Sequence, residues 1–139
     1  MSTNGNNQDA TSFMTQFDAA WNRHDLDAAV GYYADDAVVA LEPAPPGLPG
    51  IFTGKDEIRG FIQMLLPGFH VESSNARANG DTLTWDSRIT ADAFRSMGVD
   101  EAECVTEVVV RDGKVQRFTP TFSPATLAKI QQSQAAAGL

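Results

Sequence analysis

The stretch Phe13–Val39, FMTQFDAAWNRHDLDAAVGYYADDAVV, decides the fold that this chain can adopt. Its first half carries apolar residues at helical spacing and predicts a helix with one apolar stripe, formed by Phe13, Phe17, Ala20 and Trp21. A polar break follows, in which Asp25 is a suitable N-cap for a second, short helix. A strand is then predicted over Ala37–Leu41. Two helices therefore lead directly into a strand.

The remaining chain adds a third helix and then changes to strand periodicity. Thr53 and Asp56 resemble a capping box at the start of this helix, and Pro67-Gly68 ends it. Asn79-Gly80 and Asp112-Gly113 are typical of tight hairpin turns, because such turns need positive φ angles. Four strands are predicted around these turns: Phe69–Ala78, Thr82–Ala91, Ala102–Arg111 and Lys114–Phe122. Helices followed by a strand meander indicate the α+β class.

The length of 139 residues suits one domain with a single core. Residues 1–11 are polar and are expected to be a disordered N-terminal segment, and residues 12–123 are expected to form the domain. Residues 124–139 are predicted as a C-terminal helix or tail.

Composition excludes some classes of partner. The net charge of -8 and the absence of clustered Lys and Arg argue against nucleic acid and favour uncharged or cationic ligands. Cys104 is the sole cysteine and is expected to be a buried, inert thiol in a reducing compartment. The sequence shows neither a leader-like apolar run nor a membrane span, so we expect a cytoplasmic protein without membrane contact.

The helix–helix–strand stretch, with the Gly54-Lys55-Asp56-Glu57-Ile58 helix start after it, resembles the nuclear transport factor 2-like superfamily. This superfamily includes the SnoaL-like cyclases and the ketosteroid isomerases. The resemblance covers Phe13–Phe122. It implies a cone-shaped, curved antiparallel sheet covered by three N-terminal helices, with an apolar pocket between them. It also implies a homodimer that pairs through its sheet.

The resemblance places two acids at functional positions. Glu42-Pro43 matches the general base of the ketosteroid isomerases if one extra residue is allowed in the strand; otherwise that position falls on Leu41. Glu107 lies five residues before the turn residue Asp112, where the family has its second acid. The family's oxyanion-donating tyrosine falls on Phe17. The working aspartate of the epoxide hydrolase and cyclase branches is replaced by Thr119-Pro120-Thr121.

Each acid also has a structural interpretation. Glu107 interrupts an apolar strand and either enters the pocket, where burial would raise its pKa, or lies outside, paired with Arg117 or Arg88 or exposed at the edge. Glu42 is either a proton-transferring base or a solvated loop residue, and the second reading is favoured. The alternation of Asp86 and Arg88 with apolar neighbours favours their placement on the outer sheet face.

The expected ligand is an apolar small molecule, because aromatic and aliphatic side chains are available to line a pocket. These candidate residues are Phe17, Trp21, Tyr33, Phe61, Leu65, Phe118 and Phe122. His24 and His70 are far apart and are expected at the surface, so no metal site is predicted.

The sequence thus predicts a cofactor-free isomerase, cyclase or hydrolase with Glu107 and Glu42 as its acid–base pair. The alternative is a non-catalytic module that binds a hydrophobic ligand or pairs subunits.

Overall fold

The computed structural model describes residues 3–41 and 50–137, with side chains described over 9–41 and 50–132. The helices are α1 Thr3–Asn22, α2 Leu26–Gly31, α3 Gly54–Leu65, α4 Asp92–Arg95 and α5 Pro124–Ala137. The strands are β1 Tyr33–Ala40, β2 Ile51–Thr53, β3 His70–Asn79, β4 Thr82–Thr90, β5 Ala102–Arg111 and β6 Lys114–Phe122. The α+β class predicted from the sequence is confirmed.

Over the described residues, the strands form one curved, unclosed sheet in the order β2-β1-β6-β5-β4-β3. All neighbours are antiparallel except β1 and β6, which are parallel, with Val39 opposite Phe118. The sheet is therefore mixed, where the sequence predicts an antiparallel one. A parallel pair needs a long connection. The chain provides it, because α3 and four other strands separate β1 from β6.

The turn between β5 and β6 has the predicted form, with φ values of 54° at Asp112 and 75° at Gly113. The turn between β3 and β4 lies one residue later than predicted. Asn79 pairs with Thr82, and Gly80, at φ 63°, is the first of the two turn residues. Glycine at that position is typical of a type II′ turn, which fits the right-handed twist of the flanking strands.

A bulge bends β3, the strand against which α1 packs. Ser74 is opposite Asp86 and Arg77 is opposite Thr84, so two residues of β3 face one of β4. Asn75, inside the bulge, has a left-handed φ of 59°, which Asn tolerates better than most residues. Such a bulge increases the local bend and twist of the strand.

The start of α2 agrees with the sequence, and the start of α3 differs from it in one residue. Asp25 caps α2 as predicted, and its carboxylate accepts from Ala28 N–H at 3.1 Å. At α3, Glu57 rather than Asp56 accepts from the Thr53 N–H, at 2.9 Å. α1 already begins at Thr3, within the segment expected to be disordered, and Ala10 is fully buried. The short helix α4 was not predicted from the sequence.

The core lies between the helices and one face of the sheet. α1 crosses β3 and reaches β4, and α3 lies against β1. Leu83, Trp85 and Ser87 of β4 point inward and are buried, whereas Asp86 and Arg88 face outward. The predicted outer placement of Asp86 and Arg88 is therefore confirmed. No helix within the described residues is both long and apolar enough to cross a lipid bilayer.

Candidate functional site

A cavity of about 70 Å³ lies between α1, α3, α4 and the inner face of the sheet. Aromatic side chains form most of its wall: Phe17, Trp21, Phe61, Phe69, Trp85, Phe94, Phe118 and Phe122. Aliphatic and thioether groups complete the apolar lining: Leu41, Met64, Leu65, Val71, Ile89, Ala93, Met97 and Pro120. The polar lining consists of Asp18, Ser87 and Thr106. Within the part of the chain that the structure describes, this is an apolar space with three polar groups on one side.

Asp18 is the chemically distinctive residue of the cavity. It lies on α1 beside Phe17, and its carboxyl group reaches the inner face of β3. Burial raises its pKa to about 6, although a hydrogen bond from Ser73 and the positive potential of His70 both act to lower it. Burial dominates because an apolar surrounding solvates the charged form poorly. Asp18 therefore changes protonation state close to neutral pH.

A row of hydroxyl groups leads from Asp18 across three strands. The Ser73 and Ser87 hydroxyls are 3.1 Å apart, and Ser87 Oγ is 3.1 Å from Thr106 Oγ1. Each hydroxyl has one proton to donate. Because Ser73 donates to the ionised Asp18, Ser87 donates to Ser73 and Thr106 donates to Ser87. The row is thus oriented toward the carboxylate.

Cys104 lies at the far end of this row. Its Sγ is 3.7 Å from Thr106 Oγ1, and the thiol is buried. Burial raises the pKa of Cys104 to about 11, so the thiol stays protonated at neutral pH. The predicted burial is confirmed, and the raised pKa fits an unreactive cysteine.

Six of the seven predicted pocket residues lie at the cavity, and Tyr33 does not. Tyr33 is fully buried behind the cavity wall, with its ring 5.9 Å from Phe17 and 6.2 Å from Phe118 between centroids. Burial raises the pKa of its hydroxyl far above the usual value. Neither Tyr33 Oη nor Trp21 Nε1 has a hydrogen-bond partner among the described residues. Trp21 alone of this pair lines the cavity.

The expectation that Glu107 enters the pocket is wrong. Side chains of β5 alternate between buried and exposed from Ala102 to Val108, and Glu107 falls on the exposed face. The strand period of two puts it outside together with Glu103 and Val105. Val105 is 43% exposed. β5 therefore carries apolar side chains on both faces, although only its inner face is buried.

Glu42, the second predicted acid, lies outside the described residues. The described residues therefore bring neither predicted acid to the cavity.

The lining of the cavity reaches the protein surface at Met64, at the end of α3, which is 37% exposed. Leu65 beside it and Met97 after α4 are partly exposed, and this side is called the mouth of the cavity. The Asp92 N–H donates to Pro67 O at 3.0 Å and ties the start of α4 to the chain after α3. Methionine at an entrance adapts to guests of different shape, because its side chain is unbranched and flexible.

Sequence reasoning missed Asp18, although a signal was present. Met14, Phe17, Asp18 and Trp21 have the spacing i, i+3, i+4, i+7 of one helix face. An acid inside that otherwise apolar face must be buried against the core, which makes it a candidate functional group. The residues of α4 carried no comparable pattern, since a four-residue helix makes only about one turn and cannot show a repeating stripe.

The histidines lie at the surface. His24 Nε2 is 2.8 Å from Phe69 O, and His70 Nε2 is 3.4 Å from a carboxylate oxygen of Glu72. Over the described residues, no three His, Cys, Asp or Glu side chains come together as a metal ion would need.

Fold and cavity together define a cone of the nuclear transport factor 2-like class. The family model of the SnoaL-like domain matches residues 14–118. The chain therefore belongs to the SnoaL-like domain family. Among curated protein sequences, none matches it.

Solved structures share the fold at low sequence identity. A candidate isomerase from Bacillus subtilis is 17% identical with a TM-score of 0.70, covering 96% of this chain and 97% of that one. A candidate ketosteroid isomerase from Kribbella flavida is 16% identical with a TM-score of 0.66, covering 85% and 80%. A candidate polyketide cyclase from Sinorhizobium meliloti is 17% identical with a TM-score of 0.65, covering 83% and 98%. At these identities the likeness shows the fold.

Proposed function

We propose that this protein is a cofactor-free enzyme that transfers protons on a small, largely apolar molecule, with Asp18 as its acid–base group. The observation that carries this proposal is the position of the Asp18 carboxyl in an apolar cavity, where burial raises its pKa to about 6. A general base is most effective when its pKa lies near the working pH. Asp18 replaces the predicted pair of Glu107 and Glu42 in this role.

The proposed chemistry uses Asp18 in both protonation states. At pH 7 most of the molecules carry the carboxylate, which can remove a proton from a bound molecule. The protonated carboxyl can then return that proton to another atom. The hydroxyls of Ser87 and Thr106 line the cavity and can hydrogen-bond to an oxygen of the ligand.

Isomerisation, cyclisation and hydrolysis all need such a proton transfer. The structural neighbours, which include a candidate isomerase and a candidate cyclase, support this range. A general acid–base group typically contributes a factor of about 10² to 10⁴ to the rate.

Deuterium exchange tests the proposal without a known substrate. A panel of single-ring ketones, lactones and amino-substituted ketones is incubated with the protein in D₂O, and deuterium uptake at carbon is followed by mass spectrometry. We expect uptake above background for at least one compound. The Asp18→Asn variant should lose it, and Asp86→Asn, the same change on the outer face, should keep it. Equal uptake with Asp18→Asn and with the unaltered protein would reject Asp18 as the base.

A non-catalytic binding module is the second candidate function. One observation favours it: among the described residues, Asp18 is the sole ionisable side chain at the cavity, so a separate acid and base are not both present. A ligand that co-purifies with the protein and is released chemically unchanged after long incubation would support this alternative.

The homodimer predicted from the sequence is carried forward as part of the proposal. The outer face of the sheet, where Val105 is exposed, is the expected contact. A monomer in sedimentation velocity at micromolar concentration would contradict it.

A further inference from the structure

The charge at the cavity is unbalanced. Asp18 is the sole charged side chain that lines it within the described residues. The cationic side chains of the neighbouring strands are engaged on the outer face. Arg88 pairs with Glu72 at 3.1 Å, and Arg77 lies 3.7 Å from Asp86. Neither cation lines the cavity.

The groups that do act on Asp18 neutralise it poorly. His70 is exposed and lies 3.4 Å from a carboxylate oxygen of Glu72. Cys104 is a protonated thiol, and Ser73 supplies one hydrogen bond. An ionised carboxylate can accept about four hydrogen bonds, and within the described part of the chain Ser73 provides one of them.

Aromatic rings line the same cavity as this carboxylate. Eight of the cavity residues are Phe or Trp, including Trp21, one helical turn from Asp18, and Trp85 on the facing strand. The face of an aromatic ring attracts a cation, more strongly where water is excluded. Rings and carboxylate together therefore favour a positive charge over a neutral or negative one.

We infer that the cavity binds a small organic cation, a protonated amine or methylated ammonium on an apolar stem, with its charged head at Asp18 and its stem toward Met64 and Met97. The inference rests on the proposed ligand-binding role of the cavity and names the class of ligand. The volume of about 70 Å³ is about half that of an engineered cavity that holds benzene. The enclosed space therefore suits a head group with a short stem that extends through the mouth.

A set of three probes with the same branched stem separates charge from shape: isobutylamine, isobutanol and isobutyrate. Both tryptophans of the chain, Trp21 and Trp85, line the cavity, so their indole N–H signals report binding there by NMR. At pH 7.5 we expect isobutylamine to bind at least about tenfold more tightly than isobutanol, because a charge-assisted hydrogen bond replaces a neutral one. Isobutyrate should bind most weakly.

The Asp18→Asn variant should reduce the preference for the amine to about one, and Asp86→Asn, on the outer face, should leave it at about tenfold. Lowering the pH to 5 should also remove the preference, because the Asp18 carboxyl is then largely protonated. His70 acts on Asp18 and lies beside Glu72, so the pH comparison is repeated in His70→Gln, where the loss should persist.

Three results would decide against the inference. Equal affinity for amine and alcohol, a preference that survives Asp18→Asn, or no indole shift with any probe would overturn it. If isobutanol binds as tightly as isobutylamine at the two indoles, the inference of a cationic ligand is overturned, but the proton-transfer proposal still stands. Deuterium uptake that is unaffected by Asp18→Asn would reject Asp18 as the base of the proton-transfer proposal. It would not overturn the cationic ligand, because this measurement does not depend on ligand charge.

Discussion

The two faces of the sheet treat acidic residues in opposite ways. On the outer face, Asp86 accepts a hydrogen bond from Asn75 at 2.9 Å, and Glu72 pairs with Arg88. On the inner face, Asp18 meets aromatic rings and one row of hydroxyls, with no cationic side chain at the cavity among the described residues. The outer acids are therefore solvated and paired, whereas Asp18 is only partly solvated and has no cationic partner at the cavity among the described residues.

This difference between the two faces indicates where a reactive acid can lie in the fold. A solvated acid keeps its ordinary pKa and contributes little to stability even when paired. A buried acid without a cation costs folding free energy, and that cost persists where a functional group must be kept reactive. Each prediction below tests one consequence of the contrast between the two faces.

The largest expected effect is on packing. Trp85→Ala removes a side chain that is 1% exposed on the inner face and should lower the free energy of unfolding by about 3–5 kcal/mol. Val105→Ala, at an outer position that is 43% exposed, should cost about 1 kcal/mol or less. Urea unfolding measures both changes. Similar losses for the two variants would show that the faces are not packed differently.

The next effect concerns the charge of Asp18. Its pKa is higher in the folded state than the ordinary 3.8, so the folded protein loses stability as pH rises from about 4 to above 6. Asp18→Asn should remove this loss and stabilise the protein at pH 7.5 by up to about 3 kcal/mol, with no gain below pH 4. Thermal unfolding across pH checks this expectation. On the outer face, Asp86→Asn should change stability by about 1 kcal/mol or less, and a gain as large as that of Asp18→Asn would contradict the contrast.

A smaller effect is expected along the hydroxyl row. Ser73→Ala removes the donor that stabilises the ionised Asp18, so the pKa of Asp18 should rise by about one unit above its present value. Ser74→Ala is the matched control, because Ser74 is exposed on the opposite face of β3. Carboxyl ¹³C NMR titration measures both. An unchanged pKa in Ser73→Ala would mean that this hydrogen bond does not hold the carboxylate.

The smallest effect is expected at Glu107. Because its side chain is exposed on the outer face, Glu107→Gln should change the unfolding free energy by no more than about 0.5 kcal/mol. It should also leave deuterium uptake and amine binding unaltered. A loss of either deuterium uptake or amine binding would show that Glu107 acts at the cavity, and would contradict the contrast between the two faces of the sheet.

Much of the fold could be predicted because its signals are local. The bounds of β5 and β6 follow from their period and from the Asp112-Gly113 turn, and both agree with the structure. The Asp25 cap and the third helix also depend only on neighbouring residues. The parallel pairing of β1 with β6 could not be obtained in this way, because those strands are distant in the chain.

The site was harder to predict, for a related reason. Phe17 and Trp21 were placed at the cavity because a helical stripe must face the core. Glu107 was misplaced because its strand is apolar at outer positions as well, so the pattern did not show which set faces inward. Asp18 was overlooked because an acid in an apolar stripe is unusual, although its spacing was correct.

By itself, the amino-acid sequence determined the class of fold, the faces of the long helices and most strand limits, because helix and strand periods act over a few residues. Only the tertiary structure decided which acid reaches the cavity, since that position depends on the elements that pack together. α1 lays Asp18 against β3, and the strand period turns Glu107 to the outer face. The pKa of an acid follows from that surrounding, which no local pattern contains.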